Sequence, residues 1–184
     1  MTKNVKDIRD EFFDEGKLSA QSIKDLIWHI ENDQSPDRAI SLVTDAYLTD
    51  GSLGNLIPMI AKHLDNEDDF IRELTVGCIV GRIKLADYAE KAFNMAKEDP
   101  DSGTRILATS SLGAILNKVN PALQKQISTY LYKVFSSSEY ENLHKQCAFD
   151  SILEAMDVPI PQIISTPYDA NHYLVNQFKL KYGV

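Results

Sequence analysis

The chain has 184 residues, 43% of them hydrophobic and 25% charged, with only 8 Gly and 7 Pro. That is enough for one well-buried core, and it excludes collagen-like or long disordered stretches. The formal net charge of -8 argues against nucleic acid as the main partner, because a phosphate backbone is held by clustered Lys and Arg. It suits a protein that attracts basic surfaces.

Residues 1–15 are charged throughout and carry no apolar core of a secretory signal. No apolar run approaches the roughly 18 residues of a membrane span, so neither a membrane partner nor a location outside the cytoplasm is expected. Helical periodicity runs through most of the sequence, and strand-like alternation is scarce. Turn signals at 32–36, 50–54, 65–69, 99–103, 117–121 and 136–139 divide the chain into stretches of about 12 to 17 residues, a normal helix length. This punctuation predicts roughly eight to ten short helices with brief connections.

One pattern recurs along these helices. An acidic turn is followed by a basic residue, then by small or apolar residues three, six and seven positions later. Arg72 is followed by Thr75, Cys78 and Ile79; Arg105 by Ala108, Ser111 and Leu112, with Gly113 next; Lys145 by Ala148, Ser151 and Ile152. A fainter copy starts at Arg38, with Ser41, Thr44 and Asp45. The four basic residues stand 34, 33 and 40 residues apart. The offsets put the small residues on one helix face, where a neighbouring helix can approach closely. Each of the three clear copies comes after another amphipathic stretch, at 56–64, 86–96 and 122–135, so the unit is helix, acidic turn, helix, connector. A two-helix unit cannot bury its apolar face alone and has to stack on another.

The segment 56–83, with Pro58 in its first helix and Ile71-Arg72 opening its second, resembles a HEAT repeat, and Thr104 to Gly113 is the closest match to that family's second-helix signature. The resemblance spans residues 21–156 and implies an all-α fold, a short right-handed α-α superhelix (α-solenoid) of about four helix-pair repeats in a single domain. Residues 1–20 would cap one end. Residues 157–184 would form a linker and a capping helix, with Pro159, Pro161 and Pro167 denying the linker regular hydrogen bonding. Asp169 would cap a last helix carrying Tyr173, Leu174, Phe178 and Leu180. Lys145 in place of Arg and the degenerate first copy depart from the family pattern.

Catalytic equipment is scarce. His29, His63, His144 and His172 fall on separate predicted helices, no metal-binding spacing occurs, and Gly77 and Gly81 read as helix-packing glycines rather than a phosphate loop. Cys78 and Cys147 read as two buried thiols of a reducing compartment. No enzyme activity, cofactor or metal is therefore expected.

Charge is distributed unevenly. The turns inside the units gather Glu31, Asp33 and Asp37; Asp65, Glu67, Asp68 and Asp69; Glu98, Asp99 and Asp101; Glu139 and Glu141. In a stacked solenoid these turns share one edge and form an acidic rim. Capping and the helix dipole account for about one acid per turn, each contributing roughly 0.3–1 kcal/mol, but not for the crowd at 65–69. The chain is thus expected to be a protein-binding scaffold, a monomer or weak homo-oligomer, that engages a basic protein. The binding residues would be Asp65, Glu67, Asp68, Asp69, Glu98, Asp99 and Asp101 on the rim, with Glu73, Asp150 and Glu154 on the face of the second helices. An immunity protein neutralising a basic toxin is the sharpest form of this expectation. The HEAT-like resemblance also covers bilin-attachment proteins and a class of DNA glycosylases, and a structural subunit of a larger assembly is a further alternative.

Overall fold

The computed structural model describes residues 2–32, 36–169 and 172–184, and every regular element among them is helical. Eleven α-helices succeed one another among the described residues: α1 (Val5–Glu15), α2 (Ala20–Asn32), α3 (Asp37–Asp50), α4 (Ile57–Ala61), α5 (Asp69–Val76), α6 (Ala89–Glu98), α7 (Ser102–Leu112), α8 (Pro121–Ser136), α9 (Asn142–Ala155), α10 (Ile160–Ser165) and α11 (Tyr173–Tyr182). They outnumber the eight to ten that the punctuation predicts because the tail forms two helices, α10 and α11, where one is expected. The stretch at 56–64 is α4 followed by a 3-10 turn, Lys62–Asp65. No helix among the described residues is long and apolar enough to cross a membrane. The chain divides into two compact units, Met1–Ile79 and Val80–Val184.

In the first unit α1, α2 and α3 pack on one another, α4 lies on α2, and α5 lies on α3. Ile8, Phe12, Leu26, Ile30, Ile40, Val43, Ile60 and Ile71 make its core. Removing a buried Ile or Leu from water contributes about 1.5–3 kcal/mol, which is why so short a helix as α4 is held. α1 is firmly attached to α2. Asn4 caps α1 by accepting from the Asp7 amide at 2.9 Å. Glu11 accepts from the Lys3 ammonium at 2.5 Å, the Ser22 hydroxyl at 2.5 Å and the Ser19 amide at 2.6 Å. These bonds, led by Lys3, hold its carboxyl down to about 2.

In the second unit α6 pairs with α7 and α8 with α9, and α7 also lies on α9. The close approach expected at the small residues is present. Ala108, Ser111, Ala148 and Ser151 are all buried, and the Ser151 hydroxyl donates to the carbonyls of Thr109 at 2.8 Å and Ser110 at 2.9 Å. A Cβ on Gly113 would lie 2.6 Å from the Ser151 Cα, so only glycine lets the two helices meet there. At Gly81 the fit is close but less strict, since a Cβ there would lie 3.0 Å from the Ser111 hydroxyl oxygen.

The tail corrects two expectations. Pro161 does not keep its segment irregular; it sits in the first turn of α10, where its missing N–H has no intrahelical partner to lose. The cap of α11 is His172, whose Nδ1 accepts from the Leu174 amide at 3.3 Å, and the Asp169 carbonyl accepts from the His172 amide. α11 packs on α8 and α9 through Val175, Phe178 and Tyr182, and leaves Leu180 85% exposed.

Candidate functional site

Each of two acidic turns is built around an arginine. In the first unit Arg72 Nη1 donates to the carbonyls of Asn66 at 2.9 Å and Glu67 at 3.0 Å. In the second unit Arg105 Nη1 donates to the carbonyls of Asp99 at 2.7 Å and Pro100 at 3.1 Å. The caps correspond as well. Asp68 accepts from the Phe70 amide at 2.9 Å to open α5, and Asp101 accepts from the Thr104 amide at 2.7 Å to open α7. Two residues before each cap, Asn66 accepts from the Asp68 amide at 2.9 Å and Asp99 from the Asp101 amide at 3.0 Å. Arg38 does not share this register, since it is the second residue of α3 whereas Arg72 and Arg105 are the fourth of theirs. Asp33 lies outside the described residues.

The sequence-predicted acids therefore fall into different situations. Asp65, Glu67, Asp68 and Asp69 are brought together and exposed, beside a Phe70 that is 58% exposed. Glu73 is half-buried on α5. In the second unit Glu98 is exposed with Lys97 at 3.7 Å, Asp99 is buried at 8% exposure, and Asp101 is half-buried. Asp150 accepts from Gln146 Nε2 at 2.7 Å, and burial pushes its carboxyl up. Glu154 pairs with Lys84 at 2.8 Å. Asp99, Asp101 and Glu154 thus hold the second unit together.

The second unit carries a groove of about 850 Å³ bounded by α6, α7, α8 and the start of α9. Phe93, Ala96, Tyr130 and His144 form its floor. Lys97, Arg105, Lys125 and Lys133 stand around it, and Glu139 and Glu141 lie on the turn before α9. α8 supplies Lys125, Thr129 and Lys133 at four-residue steps, with Tyr130 beside them, so one helix face does most of the lining.

Under the floor lies a polar hub. Tyr130 donates its hydroxyl proton to the Ala96 carbonyl at 2.7 Å, and Thr109 donates to the Arg105 carbonyl at 2.8 Å. Thr109 Oγ1 also lies 3.0 Å from Tyr130 Oη and 2.9 Å from His144 Nε2, so the two hydroxyls and the imidazole close one network. Tyr140 stacks edge-on against the His144 ring, their centroids 5.1 Å apart. Burial pushes the Tyr130 phenol up to about 12. Burial, aided by Arg105, holds His144 below its ordinary value and so favours the neutral imidazole. These protons point at carbonyls or at one another, so the hub makes a rigid wall.

The remaining candidates are structural. His29 contacts the Lys3 carbonyl at 2.7 Å and His63 the Ile30 carbonyl at 3.0 Å. Cys78 is buried, and Cys147 is only half-buried, its thiol pushed up to about 11 by burial. No group of three or more His, Cys, Asp or Glu among the described residues could hold a metal ion. Sequence reasoning named Arg105 and His144 without joining them, and it missed Phe93, Lys97, Tyr130 and Lys133. The only local signal is the basic spacing on α8, which reads equally as a solvated face. No protein-family model, curated protein or solved structure matches the chain.

Proposed function

We propose that this chain is a non-catalytic protein-binding scaffold of the helical-repeat (α-solenoid) kind, and that the groove of the second unit is where a partner segment docks. The groove carries the reading, because its volume, aromatic floor and ring of polar side chains are those of a recognition site. The shared turn plan around Arg72 and Arg105 supports the repeat architecture. The commitment of the hub protons favours a binding wall over an acid–base centre.

A second reading keeps the expected basic partner, an immunity target included, on the turn at 65–69, where exposed carboxylates surround exposed Phe70. One experiment separates the two. Thr129 is exposed on the groove face of α8, so Thr129→Trp fills the groove without entering the core. Asp65→Lys, Glu67→Lys and Asp69→Lys together reverse the acidic turn while leaving the Asp68 cap intact. Partners cross-linked to the native chain are expected to be lost with Thr129→Trp and kept with the triple variant. The opposite pattern would move the function to the acidic turn.

A further inference from the structure

We propose that the groove recognises an acidic segment of a partner protein, with one aromatic or aliphatic side chain seated on Phe93 and Tyr130 and carboxylates on Lys97, Arg105 and Lys133. The proposal rests on the docking reading and adds the chemistry of the occupant. Its basis is a reversal of charge. The chain as a whole carries -8, yet four cations and only two acids line this groove.

The cations are not equally committed. Lys125 is held by the carbonyls of Tyr182, at 3.3 Å, and Gly183. Arg105 uses Nη1 on its own turn. Lys97 lies over the Phe93 ring at 4.5 Å and reaches Glu98 only at 3.7 Å, an exposed pair of little strength. Lys133 is exposed and its ammonium has no partner among the described residues.

Along α8 the lining runs from Lys125 to Lys133, about 12 Å at the helical rise, the length of roughly four extended residues. A single small anion would meet one or two of the cations, whereas a peptide strand or helix turn can meet all three. The aromatic floor supplies what an apolar anchor needs once Lys97, which lies over the Phe93 ring at 4.5 Å, turns from that ring to a carboxylate of the segment. Glu139 and Glu141 line only the lip before α9, so they repel one end of an acidic segment and fix its direction.

The test titrates the full chain, isotopically labelled, with a short Asp/Glu-rich peptide bearing one Phe, and separately with its Lys-for-acid counterpart. The acidic peptide is expected to shift the amides of Thr129, Tyr130 and His144. Its affinity should fall about tenfold or more, some 1.4 kcal/mol, in Lys97→Glu plus Lys133→Glu. Lys17→Glu plus Lys24→Glu changes net charge equally and should cost under about twofold, as neither lysine lines the groove. Glu139→Gln plus Glu141→Gln should tighten binding. Equal weakening by both lysine pairs, or no shift of the groove amides, overturns the proposal. Groove shifts from the lysine peptide alone would also overturn it, while leaving the docking reading intact.

Discussion

In the first unit Arg72 ties down a turn whose inward side chain is the neutral Asn66, half-buried, and whose acids at 65, 67 and 69 all face solvent. In the second unit Arg105 ties down the same turn, but the inward side chain is the carboxylate of Asp99, buried at 8% exposure. The hydrogen-bond plan is common and the placement of charge differs. The number of acids in a turn is therefore a poor measure of the charge it presents. The turns also differ in what lies behind the arginine. His63 Nδ1 meets the Asn66 amide nitrogen at 3.2 Å in the first, whereas His144 sits buried within the influence of Arg105 in the second.

The largest expected effect comes from burial. Arg105→Ala removes two charge-assisted bonds and strands the buried Asp99 carbonyl region, at an expected cost of about 2 kcal/mol, whereas Arg72→Ala should cost about 1 kcal/mol. Hydrogen exchange at the Thr104 and Phe70 amides reads each turn separately. Equal losses would show that the shared plan, not burial, sets the strength. Next come the caps, where the turns should agree: Asp68→Ala and Asp101→Ala are each expected to cost about 1 kcal/mol.

What the sequence makes legible is the part of this plan that is local. Arg72 and Arg105 with their neighbouring small residues are visible as spacing, and so are the caps, because a cap needs only its own turn. Whether Asp99 or Asp101 turns inward is not visible in Asp-Pro-Asp, since the choice depends on the rest of the turn. The groove is less legible still. Phe93 and Lys97 on α6, Arg105 on α7, Lys133 on α8 and His144 on α9 each read as an ordinary helix position, and only tertiary packing makes them neighbours. The prolines of the tail misled for a related reason, because Pro161 breaks a helix interior but opens a helix when it falls in the first turn.

The third turn sharpens the comparison, because it has the register without the chemistry. Glu141 has the extended backbone of a cap and no side-chain cap bond, its carboxylate being one carbon too long. Glu141→Asp should supply the missing bond to the His144 amide and raise stability by about 0.5–1 kcal/mol, read as a higher urea midpoint. A smaller effect concerns pH. His144 is held below its ordinary value of 6.5, so below that pH the unfolded chain takes up a proton that the folded chain refuses. Stability should fall as pH drops through about 6.5 and stop falling once the folded imidazole protonates. His144→Gln, whose amide can donate to or accept from Thr109, should flatten that part of the pH profile; an unchanged slope would show that another group carries it.

The smallest expected effect is the one most informative about function. Asp65→Asn, Glu67→Gln and Asp69→Asn leave the Asp68 cap and the Arg72 bonds to the backbone in place. All three acids are exposed, where a charge interaction contributes little, and their mutual repulsion offsets the dipole contribution of Asp69. Thermal unfolding of the triple variant should therefore stay within about 0.5 kcal/mol of the native chain. In the second turn the comparable exchange cannot be silent, because Asp99 and Asp101 hold backbone amides. A loss above about 1 kcal/mol in the first turn would make its acids structural too, and would remove the last reason to seek a basic partner there. A silent triple variant leaves these three carboxylates and Phe70 as a surface whose charge the fold does not require.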